Sequence, residues 1–181
     1  MNLYSQFANA LPLADFLKTF GSEHDRQRCK DVHEQISLTD EQRSLLAKFR
    51  RETHVLVLAG AWCGDCVRQC PIFEHFAGAA PLLKVRYLDR DVHAKVQDGL
   101  SINGGRRVPV VVFFSEDGYE VSRFGDRTLA AYRRLANQVG GGGVSTGEQL
   151  LRDVIQDWLN EFERVQWLLQ LSPRLRQMHG D

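Results

Sequence analysis

Residues Val55-Leu-Val-Leu-Ala59, opened by His54 and closed by Gly60, form an unbroken apolar run of mostly β-forming residues. Such a strand has no face to give to water, so it belongs inside a sheet covered on both sides. The chain continues at once with Ala61-Trp62-Cys63-Gly64-Asp65-Cys66-Val67-Arg68-Gln69-Cys70-Pro71. Val67 to Phe76 then reads as a helix, with a kink expected at Pro71. A buried strand that turns directly into a helix points to an α/β architecture.

The remaining pattern fits that frame. Leu83 to Asp89 alternates as a second strand, and Val108-Pro-Val-Val-Val-Phe-Phe114 is a third, its proline at the start, where a missing donor is tolerated. Glu116-Asp-Gly118 marks a turn into a short edge strand over Glu120 to Phe124. The first fifty residues carry no strand signal. Leu13, Phe16, Leu17 and Phe20 recur at helical spacing and Gly21 stops them. Ser22 opens a charged stretch to Ile36 with Cys29, Val32 and Ile36 as its apolar stripe. Thr39 with Gln42 forms a capping box for a helix carrying Leu45, Leu46 and Phe49. Thr128 to Val139 is helical, and Gly140 to Gly143 is a flexible break. Leu151, Ile155, Trp158, Phe162, Val165 and Leu169 then define a long amphipathic helix over 146–171, ended by Ser172-Pro173. The expected division is a helical extension over 1–52, an α/β domain over 53–139, and a glycine linker with a packed C-terminal helix over 140–181.

Composition removes whole classes of function. With 43% hydrophobic residues and no net charge, the chain can form a core and is not disordered. Its 23 basic and 23 acidic residues leave no charge excess for a dedicated nucleic-acid binder. No apolar run reaches membrane-spanning length. Asp15 and Lys18 interrupt the N-terminal apolar stretch, so no secretory signal is read there, and a cytoplasmic protein is expected.

Three of the four cysteines, Cys63, Cys66 and Cys70, fall within eight residues, with Cys29 apart. A cluster this local is not a distributed disulfide framework, which leaves redox chemistry or a metal. At the strand-to-helix junction Cys63 meets the unpaired amide donors of the helix start, which favour its thiolate. A thiolate there attacks a disulfide, and Cys66, three residues on, expels the product.

Trp62-Cys63-Gly64-Asp65-Cys66, the helix proline Pro71 five residues beyond the second cysteine, and Val108-Pro109 opening a later strand together resemble the thioredoxin family. The resemblance covers about Thr53 to Val139. It implies a thioredoxin-like fold, a central mixed β-sheet flanked by helices, here with helical N- and C-terminal extensions. It also implies a thiol–disulfide oxidoreductase without a cofactor or metal, with Cys63 as nucleophile and Cys66 as resolving thiol. Val108 and Pro109 would contact substrate, through a cis Val–Pro bond, and Trp62 would shield the thiol. The partners implied are disulfide-containing proteins and a thioredoxin reductase or small-thiol donor, with the chain a monomer. Two departures stand out. The family's buried carboxylate in the preceding strand falls on Val57 here. Asp65 stands between the cysteines, where its charge is expected to raise the Cys63 pKa and favour the reducing direction.

Other residues read more plainly. Cys70 and Cys29 are expected in the core. Arg68, Arg106 and Arg107 read as solvated, and the six histidines show no ligand spacing. Gly140 to Gly143 lacks the lysine of a phosphate loop. Two other functions stay open at this point: a metal or iron–sulfur protein using Cys63, Cys66 and Cys70, which lack a local fourth ligand, and a non-catalytic adaptor. The helix with Trp158 and Trp167 could instead serve as a dimer seam.

Overall fold

The computed structural model describes residues 2–141 and 146–181. After a 3₁₀ turn over Tyr4–Asn9, the chain runs α1 (Leu13–Phe20), α2 (Glu23–Gln35), α3 (Asp40–Leu46), β1 (Thr53–Ala59), α4 (Gly64–Ala79), β2 (Leu83–Asp89), α5 (Ala94–Gly99), β3 (Val110–Ser115), β4 (Glu120–Gly125), α6 (Leu129–Val139), α7 (Gly147–Gln170) and α8 (Pro173–His179). The four strands lie in the order β2-β1-β3-β4, with β1 parallel to β2 and antiparallel to β3, and β3 antiparallel to β4. This is the mixed, helix-flanked sheet of a thioredoxin-like fold with helical extensions at both ends. Val55 to Ala59 of the central strand are all fully buried, as a strand covered on both faces requires.

Alternation along β3 distributes the aromatics to opposite faces. Phe113 meets Phe162 of α7, with ring centres 5.0 Å apart, while Phe114 meets Tyr4 of the N-terminal turn at 5.4 Å. Trp158 and Phe162 reach on to Phe73 and Phe76 of α4. Two buried amides fasten α7. Trp158 Nε1 donates to Gln69 Oε1 on α4 at 2.8 Å. Gln166 accepts from the Arg50 and Arg51 N–H groups and donates to the Arg51 carbonyl and Thr53 Oγ1, locking α7 to the start of β1. Trp158 is buried in the core and Trp167 is half exposed.

Local capping explains the N-terminal helices. Ser22 and Asp25 close one capping box and Thr39 and Gln42 another. α3 stops at Leu46, so Phe49 is buried from the loop beyond it and not from the helix. The N-terminal region is not free of strand pairing: Leu11 bridges antiparallel to Tyr87 of β2, a single rung that leaves no periodic trace. Ser172-Pro173 ends α7 but also starts α8, with Ser172 as its cap and proline in the first turn, where no N–H is needed. Thr146 caps α7 and Gly140 ends α6; Gly142 and Gly143 of the expected glycine break lie outside the described residues.

One glycine matters to the site. A Cβ on Gly125, at the end of β4, would lie 2.5 Å from the Pro109 carbonyl oxygen, so only glycine lets β4 approach the segment ahead of β3 this closely. Among the described residues no helix is long and apolar enough to cross a membrane.

Candidate active site

The helix after β1 begins at Gly64 rather than at Val67, so the cysteine motif is itself its first turn. Cys63 is the residue capping that start, half-buried, and Cys66, one turn inside, is buried. All four cysteines are free thiols. Cys63 Sγ stands 3.7 Å from the Val108 carbonyl oxygen, and the Gly60 N–H points at Cys66 Sγ from 3.4 Å. The Val108–Pro109 bond is cis, as the resemblance implies, and Val110 opens β3 directly behind it. The strand-to-helix turn and a second strand start thus meet at one sulfur.

The Cys63 thiol is held well above its ordinary pKa, first because its proton is shared with the Cys66 sulfur and then by burial. The N–H groups of Cys66 and Asp65 at the helix start pull the other way without overcoming this. Burial raises Cys66 as well; the neighbouring Cys63 thiol works against this and the Cys70 thiol adds to it. The carboxylate of Asp65, expected to raise Cys63, is not among the groups that do so. That carboxylate is engaged elsewhere: Arg127 Nη2 lies 2.6 Å from Asp65 Oδ2, and Arg68 Nη2 3.9 Å from Oδ1.

Arg127 belongs to a network that motif reading did not find. The side chain of Asp126 is 4% exposed. It accepts from the Tyr132 hydroxyl and from Arg107 Nη1 at 3.2 Å, with Arg127 Nη1 at 3.7 Å. Gln69 Nε2 donates to the Asp126 carbonyl at 3.0 Å and to the Asp65 carbonyl at 3.3 Å. The cysteine helix, the residue before Val108 and the start of α6 are thereby tied together. Arg107, read as solvated, is exposed along its side chain but its guanidinium reaches the buried Asp126 carboxylate, while Arg106 sits on the surface with Asp98. These partners lie 41 to 66 positions beyond Cys66, and no local pattern announces them.

Trp62 is 50% exposed beside Cys63; its Nε1 donates to Asp91 at 3.2 Å, and the Arg90 guanidinium lies 5.0 Å over its ring. Arg28 of α2 also reaches the site, 3.4 Å from where a Cβ on Gly64 would stand. Val57 is fully buried. A different carboxylate sits on α4 itself: Glu74 accepts from the Tyr87 hydroxyl at 2.8 Å, and burial raises its pKa. Cys29 and Cys70 are buried, as expected. His33 and His75 lie with ring centres 4.2 Å apart and planes tilted by 36°, but among the described residues no three His, Cys, Asp or Glu side chains come together to hold a metal ion. The three motif cysteines do not form such a group.

Among known families, a profile described as thioredoxin matches residues 12–138, which takes in α1 to α3 as well as the sheet. A crystal structure of a protein of unknown function from Pseudomonas aeruginosa superposes with a TM-score of 0.71 at 14% identity, covering 88% of this chain and 93% of that one. An HIV epitope-scaffold superposes with a TM-score of 0.67 at 17% identity, covering 90% of this chain and 99% of that one. A thioredoxin from Fasciola hepatica is 24% identical over 52% of this chain and 88% of its own, with a TM-score of 0.36. None of the curated proteins matches the chain.

Proposed function

Because this chain belongs to the thioredoxin family, we propose that it is a thiol–disulfide oxidoreductase in which Cys63 attacks a disulfide and Cys66 resolves the adduct. The observation that carries this reading is the placement of Cys63. It stands at the cap position of a helix, is half accessible, faces the Val108 carbonyl with its sulfur at 3.7 Å, and has the buried Cys66 thiol one turn further in. A visiting chain reaches Cys63 but not Cys66, which divides the two roles.

The steps balance without a further group. The Cys63 thiolate bonds to one sulfur of the substrate disulfide, and the other leaves as a thiol after taking up a proton. Cys66 loses its proton, bonds to Cys63 Sγ, and releases the second substrate sulfur, so the protein ends as a disulfide and the substrate as a dithiol. Val108 and Pro109 border the attacking sulfur and would hold the substrate backbone, with Trp62 as the exposed apolar contact. Gly64 and Asp65 complete the turn between the thiols. A thiol held above its ordinary pKa makes the reduced state less favoured, which supports the reducing direction. A thioredoxin reductase or a small thiol would restore the dithiol. The reading takes the chain as a monomer in the cytoplasm, acting on disulfide-containing proteins.

The test is turnover of a protein disulfide such as that of insulin, with dithiothreitol as donor. Wild type should accelerate reduction, and Cys63→Ser should fall to the uncatalysed rate. Equal rates for the two would leave the adaptor reading in its place.

A further inference from the structure

Cys63, Cys66 and Cys70 stand at i, i+3 and i+7 along α4, a spacing that places all three on one helix face, one turn apart. Cys66 is the middle sulfur, buried one turn inside Cys63, with Cys70 buried one turn further along the same helix. Three thiols, Cys29, Cys66 and Cys70, also border one small cavity of about 10 Å³ between α1, α2 and α4, otherwise lined by apolar groups such as Phe16 and Leu17. We propose that Cys70 is a third redox-active thiol, which takes the disulfide over from Cys63 and stores it as a Cys66–Cys70 bond inside the fold. The proposal rests on the oxidoreductase reading above, since it needs the Cys63–Cys66 disulfide as its starting point.

The exchange keeps its atoms and electrons within the protein. Cys70 gives up its proton and its sulfur bonds to Cys66 Sγ as the Cys63–Cys66 bond breaks. The electron pair of the broken bond stays on Cys63, which takes up the proton. No net oxidation or reduction occurs, and no outside reactant is required. Disulfide exchange runs along the axis of the bond being broken, and a middle sulfur with neighbours one turn on either side provides that line.

Helix geometry sets what must move. Residues four apart on an α-helix have Cα atoms about 6 Å apart, within the span of up to about 6.8 Å that a disulfide bridges. The remaining closure falls on the turn from Cys66 to Cys70, and this turn is loosened by the next residue. Pro71 has no N–H to give to the Val67 carbonyl, so one rung of the helix is missing beside the pair. The consequence is functional. Cys63 becomes a free nucleophile again while the oxidising equivalents sit on two buried sulfurs, out of reach of external reductants.

Tryptic cleavage separates the two states, because Arg68 lies between Cys66 and Cys70. The wild-type protein is oxidised with one equivalent of diamide, quenched in acid, alkylated at its remaining thiols, and digested. A Cys63–Cys66 bond stays within the peptide Glu52–Arg68, whereas a Cys66–Cys70 bond joins that peptide to Gln69–Lys84. Cross-linked Glu52–Arg68 and Gln69–Lys84 peptides, with Cys63 alkylated, are the expected product, and they become the sole product in Cys63→Ser. A bond confined to Glu52–Arg68, with Cys70 fully alkylated, would overturn the proposal while leaving the oxidoreductase reading intact. Linkage of Cys70 to the Cys29–Lys30 dipeptide would equally contradict it. If the wild type forms no disulfide at all, the reading beneath it fails as well.

Discussion

Asp65 shows how far a single side chain depends on its partners. Taken alone, a carboxylate between two thiols opposes ionisation of either one. In the folded chain Arg127 meets it at 2.6 Å, so the pair offers the cysteines a nearly balanced charge. Arg127→Ala leaves Asp65 with only the exposed Arg68 at 3.9 Å. The Cys63 thiolate then becomes less stable, and the reduction potential should move to more negative values by up to about 30 mV, a tenfold change in the equilibrium with dithiothreitol. An unchanged or more positive potential would show that Asp65 does not act on the thiols. Asp126 makes a prediction in stability. Burial pushes its carboxyl up, but the Tyr132 hydroxyl, its own backbone N–H and Arg107 outweigh this and hold it below the ordinary value. A depressed native pKa stabilises the fold above the unfolded value, about 3.9, and that contribution fades as pH falls through the native value. Asp126→Asn should therefore cost about 1–3 kcal/mol at pH 7. Urea unfolding should find the gap between wild type and variant narrowing as pH falls below about 4, and a gap that stays constant would rule out the linkage.

At the scale of elements, what could be read from sequence was whatever repeats or caps locally. β1, α7 and the Thr39 box announce themselves through apolar runs, three- and four-residue spacing, and a Thr-x-x-Gln pair. The strand-to-helix setting of Cys63 and Cys66 was legible for the same reason. α5 and α8, of six and seven residues, are too short for periodicity to show, and the Leu11 rung is a single residue. The Asp65–Arg127–Asp126–Arg107 network was invisible because tertiary folding brings together charges from three separate loops and helix starts. α7 carries its own test. Trp158 Nε1 is the donor to the Gln69 amide oxygen, and Gln69 in turn holds the Asp65 and Asp126 carbonyls. Trp158→Phe keeps most of the buried ring but strands that oxygen, so a loss of about 1–3 kcal/mol is expected from chemical denaturation. A loss below 0.5 kcal/mol, about the scatter of ordinary surface changes, would mean that the amide relaxes to another donor.

For the whole molecule, the family match runs from residue 12 to 138 and so spans the N-terminal helices as well as the sheet. Their side chains reach the cysteine helix directly: Arg28 approaches Gly64, and Cys29, Leu13 and Phe16 border the cavity behind Cys66. The account as a whole requires that an outside disulfide reach one sulfur and that an inside sulfur release it. Expression of Cys66→Ser under oxidative load, followed by non-reducing separation and peptide mapping, tests this directly. Proteins joined through Cys63, released by dithiothreitol and absent from the Cys63→Ser, Cys66→Ser double variant, are the predicted result. A Cys66→Ser protein that carries no partner, or carries it through Cys29 or Cys70, would contradict the account.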